Sequence, residues 1–206
     1  MRRSGPSVPS SVRRVVLSAV IVGLIAVGCT EREPGDATRA GGATTTSTTS
    51  SATQPERTRP AEIKLDAIDP CKVLTAPQMQ QLAVVEAERN DSNVVKTGDV
   101  PTCDYGNNDS PRITYGVSLV TTKGIDYWRG SGNVKVERLE VGGYAAVRLT
   151  LAGTSTVDCA VAVDVADGQQ LYVDFSPVGE AHSQEKMCDN AKRAAELALA
   201  TLPTLA

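Results

Sequence analysis

Five cysteines are the residues of this chain best placed to do chemistry, and a thiol offers three kinds: acylation, disulfide formation and metal ligation. Cys29 stands directly behind an apolar run, while Cys71, Cys103, Cys159 and Cys188 form an even set downstream. The set contains no C-x-x-C pair, and His182 is the only histidine. A zinc site needs close ligand pairs, so no metal is expected. Four thiols in an exported chain read as two disulfides.

Other residue patterns could support catalysis, and each has a plainer reading. Ser183-Gln-Glu-Lys186 has the S-x-x-K spacing of an activated serine, with Ser131-Gly-Asn133 and Lys96-Thr-Gly98 close to two companion motifs. Their order along the chain is reversed, and they read as a helix cap, a loop and a turn. His182 beside Glu180 reads as a loop histidine. Gly130-x-Gly132 lacks the third glycine of a dinucleotide loop, and Asp164, Asp167 and Gly168 lack the spaced acids and distal Glu of a calcium loop. Trp128 with Tyr127 reads as core. No catalytic residue, no cofactor and no ligand-binding residue is assigned, and the chain is not expected to be an enzyme.

The start of the chain reads as an export signal. Arg2, Arg3, Arg13 and Arg14 precede Val15–Val27, an apolar run too short to span a bilayer as a helix, and Gly28-Cys29 closes it. This end resembles the bacterial lipobox, with Ala26 where a larger aliphatic residue is usual. The resemblance implies that the Cys29 sulfur is diacylated, with palmitate-type chains, and becomes the mature N-terminus; two chains give stable anchoring. Arg13-Arg14 leaves both the general and the twin-arginine export routes open. Without residues 1–28 the chain carries 17 basic and 24 acidic side chains, a net −7. That balance, with no basic cluster, argues against nucleic acid as a partner.

Residues 29–66 read as a tether. Ala43–Thr53 is almost wholly Thr and Ser, with Gly41-Gly42 before it and Pro55 and Pro60 after. With so few apolar residues no core offsets the ordering entropy, and a coil of this length spans about 35 Å. The expected domain is residues 67–206, a single α+β unit. Thr75-Ala-Pro-Gln78 has capping-box spacing and predicts a helix to about Glu88. Arg112–Val120 alternates as a strand. Val134–Val141 and Tyr144–Leu151 flank Gly142-Gly143, and Val157–Val165 and Gln170–Phe175 flank Asp167-Gly168, so two hairpins are expected. Ser183 caps a second helix to about Leu199. The expectation is an antiparallel meander of about five to six strands with an N-terminal and a C-terminal helix packed on it. Cys159 shares parity with Val161 and Val163, and Cys188 shares a helical stripe with Ala191, Ala195 and Ala198. Those facing surfaces favour Cys159–Cys188 and leave Cys71–Cys103, although four cysteines permit three connectivities.

Asp69-Pro70-Cys71-Lys72-Val73-Leu74-Thr75, followed by Cys103-Asp104-Tyr105, resembles the opening of an uncharacterised actinobacterial lipoprotein family, domain of unknown function 3558. Cys159 in a valine-rich strand and Cys188 leading an alanine-rich helix to Leu202-Pro203 extend the likeness over the mature domain. Val73 stands where the family has Leu, and Tyr105 where it has Trp. The resemblance implies a tethered lipoprotein on the outer face of the cytoplasmic membrane and brings no activity. The function expected is a non-catalytic binding or interaction module holding an envelope protein, a glycan or a small ligand. The alternatives are an extracytoplasmic hydrolase or transferase, or a carrier of lipid or other apolar ligands.

Overall fold

Seven strands are formed: β1 (Glu86–Ser92), β2 (Val100–Gly106), β3 (Arg112–Val120), β4 (Val134–Val141), β5 (Tyr144–Leu151), β6 (Cys159–Ala166) and β7 (Gln169–Val178). They make one antiparallel sheet in the order β1-β2-β3-β7-β6-β5-β4. Two helices accompany it, α1 (Ala76–Gln81) and α2 (Gln184–Thr201). The structure, a computed structural model, describes residues 59–153, 158–179 and 182–206. The expected signal segment, Cys29 and the expected tether up to residue 58 lie outside the described residues, as do Val157 and Glu180.

The sheet is two meanders, β1-β2-β3 and β4-β5-β6-β7, joined where β3 pairs with β7. This corrects the expected single meander. β3 ends beside Gln170, at the end of the sheet that holds the 142–143 and 167–168 turns; β4 begins beside Leu151, at the opposite end. Residues 121–133 therefore cross one sheet face from the turn end to the opposite end. On this face Trp128 packs with Val147, Leu149, Ala160 and Ala162. Its indole N–H donates to Gln170 Oε1 at 2.7 Å, which places the tryptophan in a core as its lone occurrence suggested.

The other face carries the main core. Cys103, Tyr105, Val117, Val161, Val163 and Val173 are fully buried there beneath α2. The buried stripe of α2 is largely alanine: Ala191, Ala194, Ala195 and Ala198 with Met187, Cys188 and Leu199. A methyl group contributes about 0.8 kcal/mol on burial, so this stripe allows close approach but supplies little apolar area. The Cys159–Cys188 disulfide ties the first turns of that helix to β6. Cys71–Cys103 does the same for the 3₁₀ turn Pro70–Lys72 against β2. Tyr105 is buried between them; its hydroxyl donates to the Pro70 carbonyl at 2.7 Å and accepts the Leu74 N–H. An indole, having only a donor, could not accept the second bond.

The N-terminal helix departs from expectation. Instead of running to Glu88 it has six residues, none of them buried, and β1 begins at Glu86. The cause is a Schellman stop: Val84 N–H reaches Met79 O, Ala83 N–H reaches Gln80 O, and Ala83 takes a left-handed φ of 57°. Only α2 packs broadly on the sheet; α1 leans on its C-terminal turn through Gln78, which donates to Leu197 O. β1, whose first residues were expected to end that helix, is a strand instead, and the count rises from five or six to seven. The packed region also begins before residue 67. Ile63 and Leu65 are buried, Ile63 N–H donates to Val165 O, and Arg59 pairs with Asp164 and Asp167.

Two outcomes follow for stability. Each disulfide closes a loop of about thirty residues, for which chain entropy gives about 3.5 kcal/mol. The C159A/C188A variant is expected to melt roughly ten degrees lower in thermal denaturation, with α2 the first element to lose protection in hydrogen exchange. Ala83→Gly removes the left-handed penalty and is expected to raise stability by about 0.5–1 kcal/mol in urea denaturation. A loss of stability would show that the Ala83 backbone is not strained.

Candidate functional site

The residues that could have formed a serine-enzyme site are held apart, each by a local backbone task. Ser183 caps α2, its hydroxyl accepting the Lys186 N–H at 3.2 Å. Lys96 lies in the β1–β2 connection at the turn end, where its N–H donates to the Tyr127 hydroxyl. The Ser131 N–H donates to Trp128 O, and the Ser131 carbonyl accepts from Val134 N–H, so this segment closes the turn into β4. Ser183 follows β7 at the opposite end of the sheet from Lys96. His182 sets its ring edge-on to Phe175, with centroids 5.7 Å apart. Among the described residues no set of three or more His, Cys, Asp or Glu is grouped to hold a metal ion.

Two polar surfaces are built by the fold instead. The first is a groove between edge strand β4 and α2. Because α2 lies mainly over β6 and β7, it covers the adjoining face of β4 and β5 only near Val141, Tyr144 and Ala146 and leaves it open from Glu137 and Arg148 outward. One hollow of about 310 Å³ is lined by Lys135, Glu137, Arg148, Thr150, Gln184 and Glu185. A second, of about 240 Å³, shares Glu137 and Arg148 and adds Arg138, Leu139 and Lys192. Glu137 is gripped by Lys135 at 2.9 Å and by Arg148 directly opposite on β5. These two cations, Lys135 first, draw its carboxyl down to about 2.

The backbone of β4 completes this groove. The Val141–Tyr144 pair closes a two-residue turn, and Ala152 N–H donates to Asn133 O at the other end. Bonded and non-bonded pairs alternate in an antiparallel ladder, so Lys135, Glu137 and Leu139 bond to β5. Val136, Arg138 and Glu140 then direct their N–H and C=O groups to the open edge, whereas the Val134 N–H is taken by Ser131 O. No strand lies beyond β4 among the described residues.

The second polar surface is a row of side chains on the sheet face opposite α2. Glu88, Asp104, Gly116 and Asp174 stand side by side across β1, β2, β3 and β7. Asn90 donates to Asp104, and Ser176 donates to Asp174. Gly116 is required here, because a Cβ at that position would collide with the Asp174 carboxyl. Burial, with smaller contributions from Asp158 and Asp104, pushes Asp174 up to about 7. Burial also raises Asp158.

This carboxyl sets a pH dependence. Unfolded, an Asp has an ordinary pKa near 3.9, whereas folded Asp174 keeps its proton until about pH 7. Folding therefore takes up a proton between roughly pH 4 and pH 7, and the Asp174 contribution to stability falls as pH rises through that window. Asp174→Asn is expected to flatten this slope and to stabilise the protein at pH 8 by on the order of 2–4 kcal/mol. Urea denaturation at pH 5 and pH 8 measures it; an unchanged slope would refute the assignment.

Neither of the two surfaces was marked in the sequence by a motif. Lys135, Glu137, Arg148 and Lys192 are ordinary surface charges in one dimension, and their grouping depends on strand register and on where α2 lies. No curated protein and no solved structure gives a significant match to the chain. A family model described as "Protein of unknown function (DUF3558)" matches residues 24–201. Its span takes in both disulfides, the whole sheet and α2 to its last residue, and the chain belongs to the DUF3558 family.

Proposed function

We propose that this protein is a non-catalytic binding module of an actinobacterial cell envelope, exported by its signal segment and held to the outer face of the cytoplasmic membrane by acyl chains on Cys29. The groove between β4 and α2 is the observation that carries the binding reading. It combines open volume, a strand edge without a neighbour and convergent charged groups on a scaffold stapled by two disulfides. Its wall at Thr150, Gln184 and Glu185 lies at the end of the sheet opposite to the turns where Arg59 and Pro60 join the domain.

The residues of the S-x-x-K reading are used as caps and turn bonds, which supports binding over hydrolysis. The charged walls of the groove support a polar partner over a lipid or other apolar cargo.

Two measurements test this reading. Cys29→Ser is expected to move the protein from the membrane fraction to the soluble fraction; tight retention would refute the acyl anchor. A photo-crosslinking residue at Thr150, in the groove, is expected to give a discrete adduct in envelope preparations. The same residue at Val85, which is 72 % exposed and remote from the groove, is expected to give none. Adducts from neither position would overturn the binding reading.

A further inference from the structure

We infer that the groove takes an extended, acidic peptide segment of a partner protein, added to the free edge of β4 as an eighth strand. The inference rests on the binding reading above and names its ligand. Val136, Arg138 and Glu140 present a row of outward N–H and C=O groups along an eight-residue strand. Such a row is a template for a further strand, and main-chain hydrogen bonds would supply affinity that does not depend on the partner's side chains.

Charge then selects the partner. Residues 59–206 hold 14 basic and 20 acidic side chains, yet the groove gathers four cations, Lys135, Arg138, Arg148 and Lys192, against Glu137 and Glu185. Glu137 is already engaged by Lys135 and Arg148. A strand laid beside β4 alternates its side chains between the two sheet faces. On the α2 side they would meet Lys135 and Arg148, which share Glu137, and Lys192, which pairs with Glu196 at 3.4 Å; on the other side they would meet Arg138, with Glu140 two residues on. Carboxylates of the incoming segment beside Lys135 and Arg138 would find cations, one on each face of the sheet, and only a position beside Glu140 disfavours one.

The opposite edge of the same sheet shows the contrast. β1 is also unpaired on its outer side, but it carries Glu86, Glu88 and Asp91 against Arg89, which pairs with Asp69. It has no helix packed broadly beside it. An acidic strand is repelled there and admitted at β4, so the two edges of one sheet are distinguished by charge.

The test uses the full chain in detergent micelles and a fluorescein-labelled eight-residue peptide alternating Glu and Thr, with a Lys/Thr peptide of equal length as control. Fluorescence anisotropy is expected to show saturable binding of the Glu/Thr peptide alone, weakened by added salt. Reversal of two rim charges in K135E/K192E is expected to weaken binding by about tenfold or more. R138P removes an outward N–H while leaving the β5 ladder intact, and should weaken binding well beyond R138A, which removes only the charge. Equal binding of the Lys/Thr peptide, or equal effects of R138P and R138A, would overturn the inference. Sedimentation showing that the chain self-associates through β4, with R138P abolishing it, would make the occupant a second copy and would also overturn it. A Thr150 adduct without Glu/Thr binding sinks this inference alone; the absence of both sinks the binding reading with it.

Discussion

The pairing of β3 with β7 is the constraint on which the rest of this domain depends. Nine consecutive residues, Arg112–Val120, lie against Gln170–Val178 and unite two meanders that would otherwise be separate small sheets. Around that joint the main core assembles: the Tyr115 and Phe175 rings pack at a tilt of 50° with centroids 4.9 Å apart, and Val117 and Val173 are buried beside them. The same register sets Asp174 against Gly116, the one place in that row where a missing side chain leaves room for a carboxyl. It also pushes β4 to the outside, because the second meander can extend only away from β7. The groove is thus a by-product of the joint. Its position was settled by strand order before any of its charges could matter.

Much of the second meander was legible in the sequence because it obeys local rules. Val134–Val141 and Tyr144–Leu151 match the observed strands residue for residue, with Gly142 and Gly143 supplying the positive φ that a two-residue hairpin requires. Ser183 and the alanine stripe predicted α2, and parity placed Cys159 opposite Cys188. The first meander was harder to read. Glu86-Ala-Glu-Arg-Asn-Asp-Ser has no alternation and no β-branched residue, so only its pairing with β2 makes it a strand. The turn before it rests on Ala83 with positive φ, where a glycine would have announced the stop. The crossing of residues 121–133 left no local signature either, since it is a relation between distant strands. The groove inherits that opacity: Lys135, Arg148 and Lys192 come together through register and helix placement alone.

Charge in this protein is distributed by task. Buried or half-buried groups such as Gln169, Gln170 and Asp69 secure chain segments that have no strand partner, holding Leu65, the 123–124 turn and Cys71. The exposed charges divide between the sheet's two edges, acidic along β1 and mixed but rich in cations along β4. Exposed edges are ordinarily a hazard, and charge along them is one of the ways in which proteins keep strands from joining at random. Here β1 is net acidic while β4 balances Lys135 and Arg138 against Glu137 and Glu140, which makes such protection unequal between the two edges.

The joint between the meanders also governs the order in which the chain can become a domain. Val120 and Gln170, partners at one end of the β3–β7 ladder, are 50 residues apart, and Arg112 and Val178, at the other end, are 66 apart. Loop-closure entropy makes such a contact slow to form compared with the hairpins on either side. Neither disulfide spans it: Cys71–Cys103 lies wholly before β3, and Cys159–Cys188 bridges β6 to α2 on the other side. A chain emerging from its N-terminus can therefore lock its first half covalently while β7 has yet to appear. Until then β3 carries a naked edge. Loop closure makes the meeting of the two halves the costliest pairing in this sheet, and a β3 edge without β7 is open to mispairing with another copy of the protein.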